Sequence, residues 1–467
     1  MNKEETLRWL WVAIAVLGTL GLLVGLGAVL LMFFVPATNG DTWGVMLGGV
    51  GITSVLLGMG LVWGGVSGRN RSPSPLAYSR WAWLILAFLA AILFALALFV
   101  PAERHTQAIF APLHQGVILL PSLALLFLVA RFAGREAAPT LRQVLLAMTG
   151  GASSVVMALP LELIAFVLAG LVTALFTAFF PGGQDELERL SALLERWSTN
   201  PPTDPAELMA LATSPLVLAV AALTLAVLVP MIEEFGKTLI LGVMGVWEKP
   251  GLARSFTWGA ACGLGFAIVE GITNGAMGLG DTFGWAGGVG ARVLATAMHA
   301  LTSGILGLGW GLFWRKRWWA LPLAYILAVV YHGLWNFDVV LLIGGAAIGE
   351  TVNEAGYLLC VLAAVIHLVL LLLLPAGLFG LPLWLRSRSG SGQVRGSGAG
   401  LAPQRQLPRL PEMPTVVEAV PPAPEAQTLR SPLTPLPLEV TQRLEYTLPE
   451  PSHESAAEDA PTQIMED

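Results

Sequence analysis

The sequence predicts an all-α, polytopic transmembrane helical bundle of about ten spans, ending in a disordered C-terminal tail. Three observations carry this prediction. The 467 residues are 55% hydrophobic and only 12% charged, about half the charged fraction of a soluble domain. Mean hydropathy is +0.72. The apolar residues fall in repeated blocks of 20 or more, long enough for helices to cross a hydrocarbon core of about 30 Å.

Taken in order, the blocks give spans at about 9–35, 43–66, 81–100, 108–130, 150–180, 214–246, 255–277, 289–314, 318–342 and 356–385. The first is too long for the apolar part of a signal peptide and reads as an uncleaved span. Basic residues then set the orientation, because short loops rich in Lys and Arg stay cytoplasmic. Arg69, Arg71 and Arg80 lie in one loop, Arg131, Arg135 and Arg142 in another, and Lys249 and Arg254 in a third. Arg315, Lys316 and Arg317 follow the eighth span. The short loops between these are poor in basic residues, and the longer 181–213 segment holds Arg189 and Arg196 but more acidic residues, so both termini are expected in the cytoplasm of a prokaryotic plasma-membrane protein.

Two segments do not read as membrane. Residues 181–213 are charged and amphipathic, with a Pro-rich turn, and read as an extracytoplasmic surface segment. Residues 386–467 hold 13 prolines and one aromatic, Tyr446. Such a composition cannot bury a core and reads as disordered. The expected organisation is therefore a five-span region (1–180), the extracytoplasmic segment (181–213), a membrane domain carrying the chemistry (214–385) and the cytoplasmic tail (386–467). Cys262 and Cys360, the only cysteines, lie in apolar blocks and form neither a disulfide framework nor a CxxC metal site. The net charge of −6 is small, and no nucleic-acid partner is expected.

Ionisable groups inside the bilayer are costly and mark function by default. Glu233, Glu234 and Lys237 lie in the sixth span, Glu270 in the seventh, His299 in the eighth, and His332 and Asn336 in the ninth. Their depths agree. Glu233 is 16 residues from Lys249, Glu270 is 16 from Arg254, His299 is 16 from Arg315, and His332 is 15 from Arg317. At a helical rise of about 1.5 Å, all four lie roughly 23–24 Å from one side of the membrane. Scattered structural residues would not share a level.

Carboxylates and histidines at one depth point to activation of water. A buried carboxylate can serve as general base. The same groups could instead hold a Zn²⁺, which lowers the pKa of bound water. Lys237 follows Glu233 by four residues and Glu234 by three, so it can neutralise one carboxylate and leave the other for chemistry. Asn336 is one turn from His332 and is a candidate to orient its ring or to bind an oxyanion. Arg292 reads as a helix-end residue. His105, His114, His367 and His453 have no evident partners in the sequence, and Asp338 points elsewhere on its helix. A proton- or ion-coupled transporter and a non-catalytic membrane scaffold are the alternative readings of such a cluster.

The motifs EEFGK (233–237), FAIVE (266–270), the His of the eighth span and HGLWN (332–336) occur in this order on consecutive spans. Together they resemble the PrsW family of intramembrane proteases, within the CAAX-prenyl-endopeptidase-like group. The resemblance covers about residues 214–342. It implies a proteolytic site of Glu233, Glu234, Glu270, His299 and His332, with Glu233 as the base and Glu234 paired to Lys237. It also makes Glu270, His299 and His332 a candidate metal ligand set. The implied partners are the lipid bilayer and a membrane-protein substrate such as a membrane-anchored anti-sigma factor. HExxH and rhomboid-type GxSG signatures are absent. Asp281 of "GLGD" falls in a predicted loop, without a paired span aspartate.

Overall fold

A computed structural model describes residues 3–34, 42–67, 81–100, 107–135, 138–199, 211, 213–275, 282–349 and 353–396. The described chain is all-helical: α1 (Lys3–Leu31), α2 (Thr42–Ser67), α3 (Ala82–Ala97), α4 (Gln107–Ala133), α5 (Leu141–Thr177) and α6 (Gly183–Thr199) come first. Then follow α7 (Pro215–Leu223), a π-helical turn (Thr224–Leu228), α8 (Val229–Lys237), α9 (Leu239–Trp247), α10 (Leu252–Gly275), α11 (Thr282–Phe313) and α12 (Ala320–Gly349). The last elements are α13 (Asn353–Pro375), a second π turn (Ala376–Gly380) and α14 (Leu381–Gly396).

Among the described residues, nine helical stretches are long and apolar enough to cross a membrane, with Pro215–Val246 acting as one. The third expected span forms a shorter apolar helix of 16 residues. Of the expected C-terminal tail, residues 386–396 continue the helix α14, and the remainder lies outside the described residues.

Element boundaries follow local chemistry. Thr140 and Gln143 form a capping box that starts α5 nine residues ahead of the apolar block. Ser214 caps α7, with Pro215 in the first turn, where its missing N–H costs nothing. The surface segment contains the amphipathic α6, which buries Leu190 and Leu193. Its Glu186 takes a bidentate pair from Arg189 and a bond from the Ser214 hydroxyl, tying the helix to the start of α7.

The bundle is built around α10. Of this span 83% is buried, against 17% of Trp11–Leu31. Small residues let neighbouring backbones approach, as membrane helix packing favours. A Cβ on Gly259 would lie 2.0 Å from the Ser303 carbonyl oxygen, and one on Gly263 would lie 2.1 Å from that of His299. On the other face, Gly265 meets Met148 and Gly151 meets Cys262 equally closely. The α10–α11 seam therefore holds the backbone of His299 directly against α10, and α5 closes the other side. Between the α1/α2 hairpin and α5 lies an apolar cavity of about 850 Å³. None of the ionisable site residues lines it.

Candidate active site

The short helix α8 presents Glu233, Glu234 and Lys237, and the chain around it is shaped for this. Pro230 has no N–H to give, and the preceding turn is π-helical, which frees carbonyls from the regular ladder. The α12 helix covers that interruption. Asn336 Nδ2 donates to the Leu225 carbonyl at 2.9 Å, and Tyr325 Oη donates to the Met231 carbonyl at 2.8 Å. Gly333 lies between them, where a Cβ would come within 2.2 Å of the Ala226 oxygen. These contacts fix α12, and with it His332, against the glutamate pair.

Lys237 is the hub. Its Nζ donates to Glu233 Oε2 at 2.8 Å, Glu234 Oε1 at 2.9 Å and His299 Nδ1 at 2.8 Å. All three ammonium protons are thus used. The same Nζ lies 4.1 Å from the centre of the Phe266 ring, a cation–π contact. Lys237 and Glu234 are fully buried, and Glu233 and His332 nearly so.

The hydrogen bonds assign both histidine tautomers. The ammonium is a donor only, so His299 Nδ1 accepts and the ring proton sits on Nε2. That nitrogen lies 2.7 Å from Glu270 Oε2, close enough for an ion pair but off the line a hydrogen bond needs. His332 Nδ1 donates to Glu234 Oε1 at 2.9 Å, which leaves the Nε2 lone pair free. This Nε2 faces Glu233 Oε2 across 3.8 Å. Glu234 Oε1 also accepts from Thr302 Oγ1 at 3.1 Å. Glu234 is therefore held by three donors on three helices. Glu233 has only Lys237 as a direct donor, and it keeps the more accessible carboxylate, at 6% against 0%.

Glu270 extends the network outward. It takes Arg292 Nη2 at 2.9 Å and Asn274 Nδ2 at 3.1 Å on the same oxygen. The Arg292 Nε is buried and makes no hydrogen bond.

The structure thus brings Glu233, Glu234, Lys237, Glu270, His299 and His332 together. Asn336 turns away from His332 to the Leu225 carbonyl. Two participants, Arg292 and Thr302, are not assigned from sequence. Arg292 is not a free helix end but the partner of Glu270. Thr302 follows His299 by one turn and reaches Glu234. Glu162, on α5, is a glutamate within an apolar span, a signal that depth alone makes readable. Elsewhere, Asp338 and His367 pair at 2.6 Å across α12 and α13. His114 is a buried packing residue that accepts from Trp285 Nε1 at 3.1 Å. His105, Asp281 and His453 lie outside the described residues.

A family model for PrsW family intramembrane metalloproteases matches residues 139–371. The chain belongs to the PrsW family. Comparison with curated proteins, and with solved structures, gives no match. The PrsW match runs from the start of α5 into α13, farther in both directions than the motif-bearing stretch. It encloses every residue of the network described above. As a PrsW protein the chain is an integral membrane protease.

The metalloprotease description can be tested against the donors present. Glu233, Glu234, His299 and His332 each offer a buried ligand atom, and these atoms lie within 4.8 Å of one another. Glu234 Oε2 is buried with no hydrogen-bond partner. His332 has the Nδ1–H···carboxylate support and free Nε2 that metal-ligating histidines show. Two carboxylates and two imidazoles suit a divalent ion, so the residues of this PrsW site fit one. Glu270 is not among the four. It contacts His299 from outside.

Proposed function

We propose that the protein is an intramembrane endopeptidase that cleaves a membrane-anchored protein or lipopeptide in the outer half of the bilayer, with Glu233 as general base. The observation that carries this is the contrast within the glutamate pair. Glu234 is held by Lys237, His332 and Thr302, whereas Glu233 faces the free Nε2 of His332 across 3.8 Å.

In this reading a water lies beside Glu233. Glu233 takes a proton from it as the oxygen adds to the scissile carbonyl. The C–N bond then breaks, and the proton passes to the departing amine. Lys237 stabilises the charges of the pair and orients His299. Arg292 borders the network beside Glu270, where the exposed part of its guanidinium can donate to the substrate carbonyl. Glu234, His299 and His332 would hold a divalent ion, Zn²⁺ by donor type, leaving Glu233 as the base; when bound, the ion would polarise a carbonyl and lower the pKa of water. We place both termini in the cytoplasm of a prokaryotic cell, on the basic-loop pattern. α5, with Glu162, joins the catalytic region. The substrate class is a membrane-anchored regulatory protein, such as an anti-sigma factor, whose cleavage releases a signal.

The test compares protein N-termini in host membranes from wild type, a deletion strain and the deletion restored with Glu233→Gln at equal expression. New termini present only with wild type are the expected result. Termini that persist with Glu233→Gln remove Glu233 from the role of base.

A further inference from the structure

The position a metal would take is already filled by part of the chain. Lys237 Nζ contacts three of the four metal-type donors, Glu233 Oε2, Glu234 Oε1 and His299 Nδ1, at 2.8, 2.9 and 2.8 Å. The fourth, His332, is attached through Glu234. The ligand atoms lie within 4.8 Å of one another. A zinc ion needs bonds of about 2.0–2.2 Å to such atoms, so an ammonium and a divalent ion cannot both occupy this space. His299 makes the conflict explicit, because the Nδ1 lone pair is already taken by the ammonium.

Charge points the same way. Two adjacent carboxylates are buried with one ammonium between them, and a divalent ion would neutralise both. The ammonium already has a contact that does not depend on the metal-type donors. The face of Phe266 lies 4.1 Å from Nζ, and an aromatic face attracts a cation, most strongly when it is desolvated.

We propose that Lys237 is the resident cation of the metal cage. In the metal-free protein its ammonium holds the glutamate pair together. When a divalent ion enters, the ammonium is displaced from the two carboxylates and His299, and keeps the ring of Phe266 as a partner. Metal and lysine are alternatives at one position, and Lys237 sets the metal affinity by competition. This rests on the four-donor cluster being a metal cage, and not on which bond the protein hydrolyses.

The test uses the purified full-length chain in lipid nanodiscs, stripped with a chelator and titrated with Zn²⁺ alone against a chromophoric chelator. Thermal unfolding is recorded with and without zinc. Lys237→Met is expected to bind zinc at least about tenfold more tightly than wild type. Its metal-free form is expected to unfold at lower temperature and to recover on zinc addition. If Lys237→Met cannot be recovered, Glu234→Gln/Lys237→Met, which keeps the charge balance, is compared with Glu234→Gln alone. Tighter zinc in the double variant supports competition. Equal or weaker zinc binding without the lysine overturns the proposal, as does the absence of zinc binding in every form. Zinc uptake is read without any cleavage, so a failure here is distinct from a failure of the Glu233→Gln comparison.

Discussion

At the scale of single residues, the site is a chain of donors and acceptors in which each group's partner restricts its role. Removing one member of a buried charge pair leaves the other uncompensated, at a cost of roughly 3–5 kcal/mol. Glu234 and Glu233 should therefore fail differently. Glu233→Gln is expected to fold and to lower cleavage by at least about 100-fold, the loss that removal of a general base gives. Glu234→Gln breaks the anchor shared by Lys237, His332 and Thr302, and is expected to lower the unfolding temperature as well. Measuring both quantities on both variants decides the assignment, because equal destabilisation would mean that the pair acts as one structural unit. Asn336 makes a separate point. It donates to a carbonyl at the π turn, so Asn336→Ala should cost about 0.5–1.5 kcal/mol of stability, as for the loss of one hydrogen bond. A loss of cleavage with unchanged stability would instead return Asn336 to the chemistry.

At the scale of elements, the site depends on how closely α10 and α11 approach. Gly263 lies against the carbonyl of His299 itself. A methyl group there must push α11 outward at the level of the active histidine. Overpacking of this kind costs about 1–3 kcal/mol, and a shift of about 1 Å at a catalytic group can cost roughly 100-fold in rate. Gly263→Ala is therefore expected to lose far more cleavage than stability. Comparable losses in Gly263→Ala and in a substitution remote from His299 would show that the seam serves packing alone. The surface helix α6 is held by a different force. The Arg189 guanidinium, with the Ser214 hydroxyl, keeps the Glu186 carboxyl below its ordinary value of 4.5. A depressed pKa stabilises the docked helix above the unfolded value, and that contribution is lost as the pH falls through the folded one. Protection of the α6 amides, taken relative to the intrinsic exchange rate at each pH, should accordingly fall as the pH is lowered below about 4.5, with no such onset in Glu186→Gln. The pair is largely solvent-exposed, so the effect stays within this element.

At the scale of the whole molecule, the hydrophobic pattern made most of the architecture readable. Apolar blocks report spans because backbone polar groups must be satisfied internally in lipid, and the blocks correspond to nine long helices and one short one. Shared depth likewise singled out Glu233, Glu270, His299 and His332, since distance along a helix can be counted in residues. What the sequence could not give was direction around each helix axis. Arg292 and Asn336 sit at readable depths, yet their partners, Glu270 and the Leu225 carbonyl, are set by helix rotation and by a π turn that no periodicity announces. The same arrangement makes a prediction about the tail. Every ionisable residue of the network, with the helices that carry them, falls within 141–349, inside α5 to α12, and the family match ends at 371. A chain stopped after Gly396 keeps α14 and lacks only residues outside that frame. Expressed in the deletion strain, it is expected to regenerate the same Glu233-dependent N-termini as the full chain. If they are lost while the truncated protein is present at equal level in the membrane, the tail takes part in substrate delivery and the catalytic unit extends beyond the bundle.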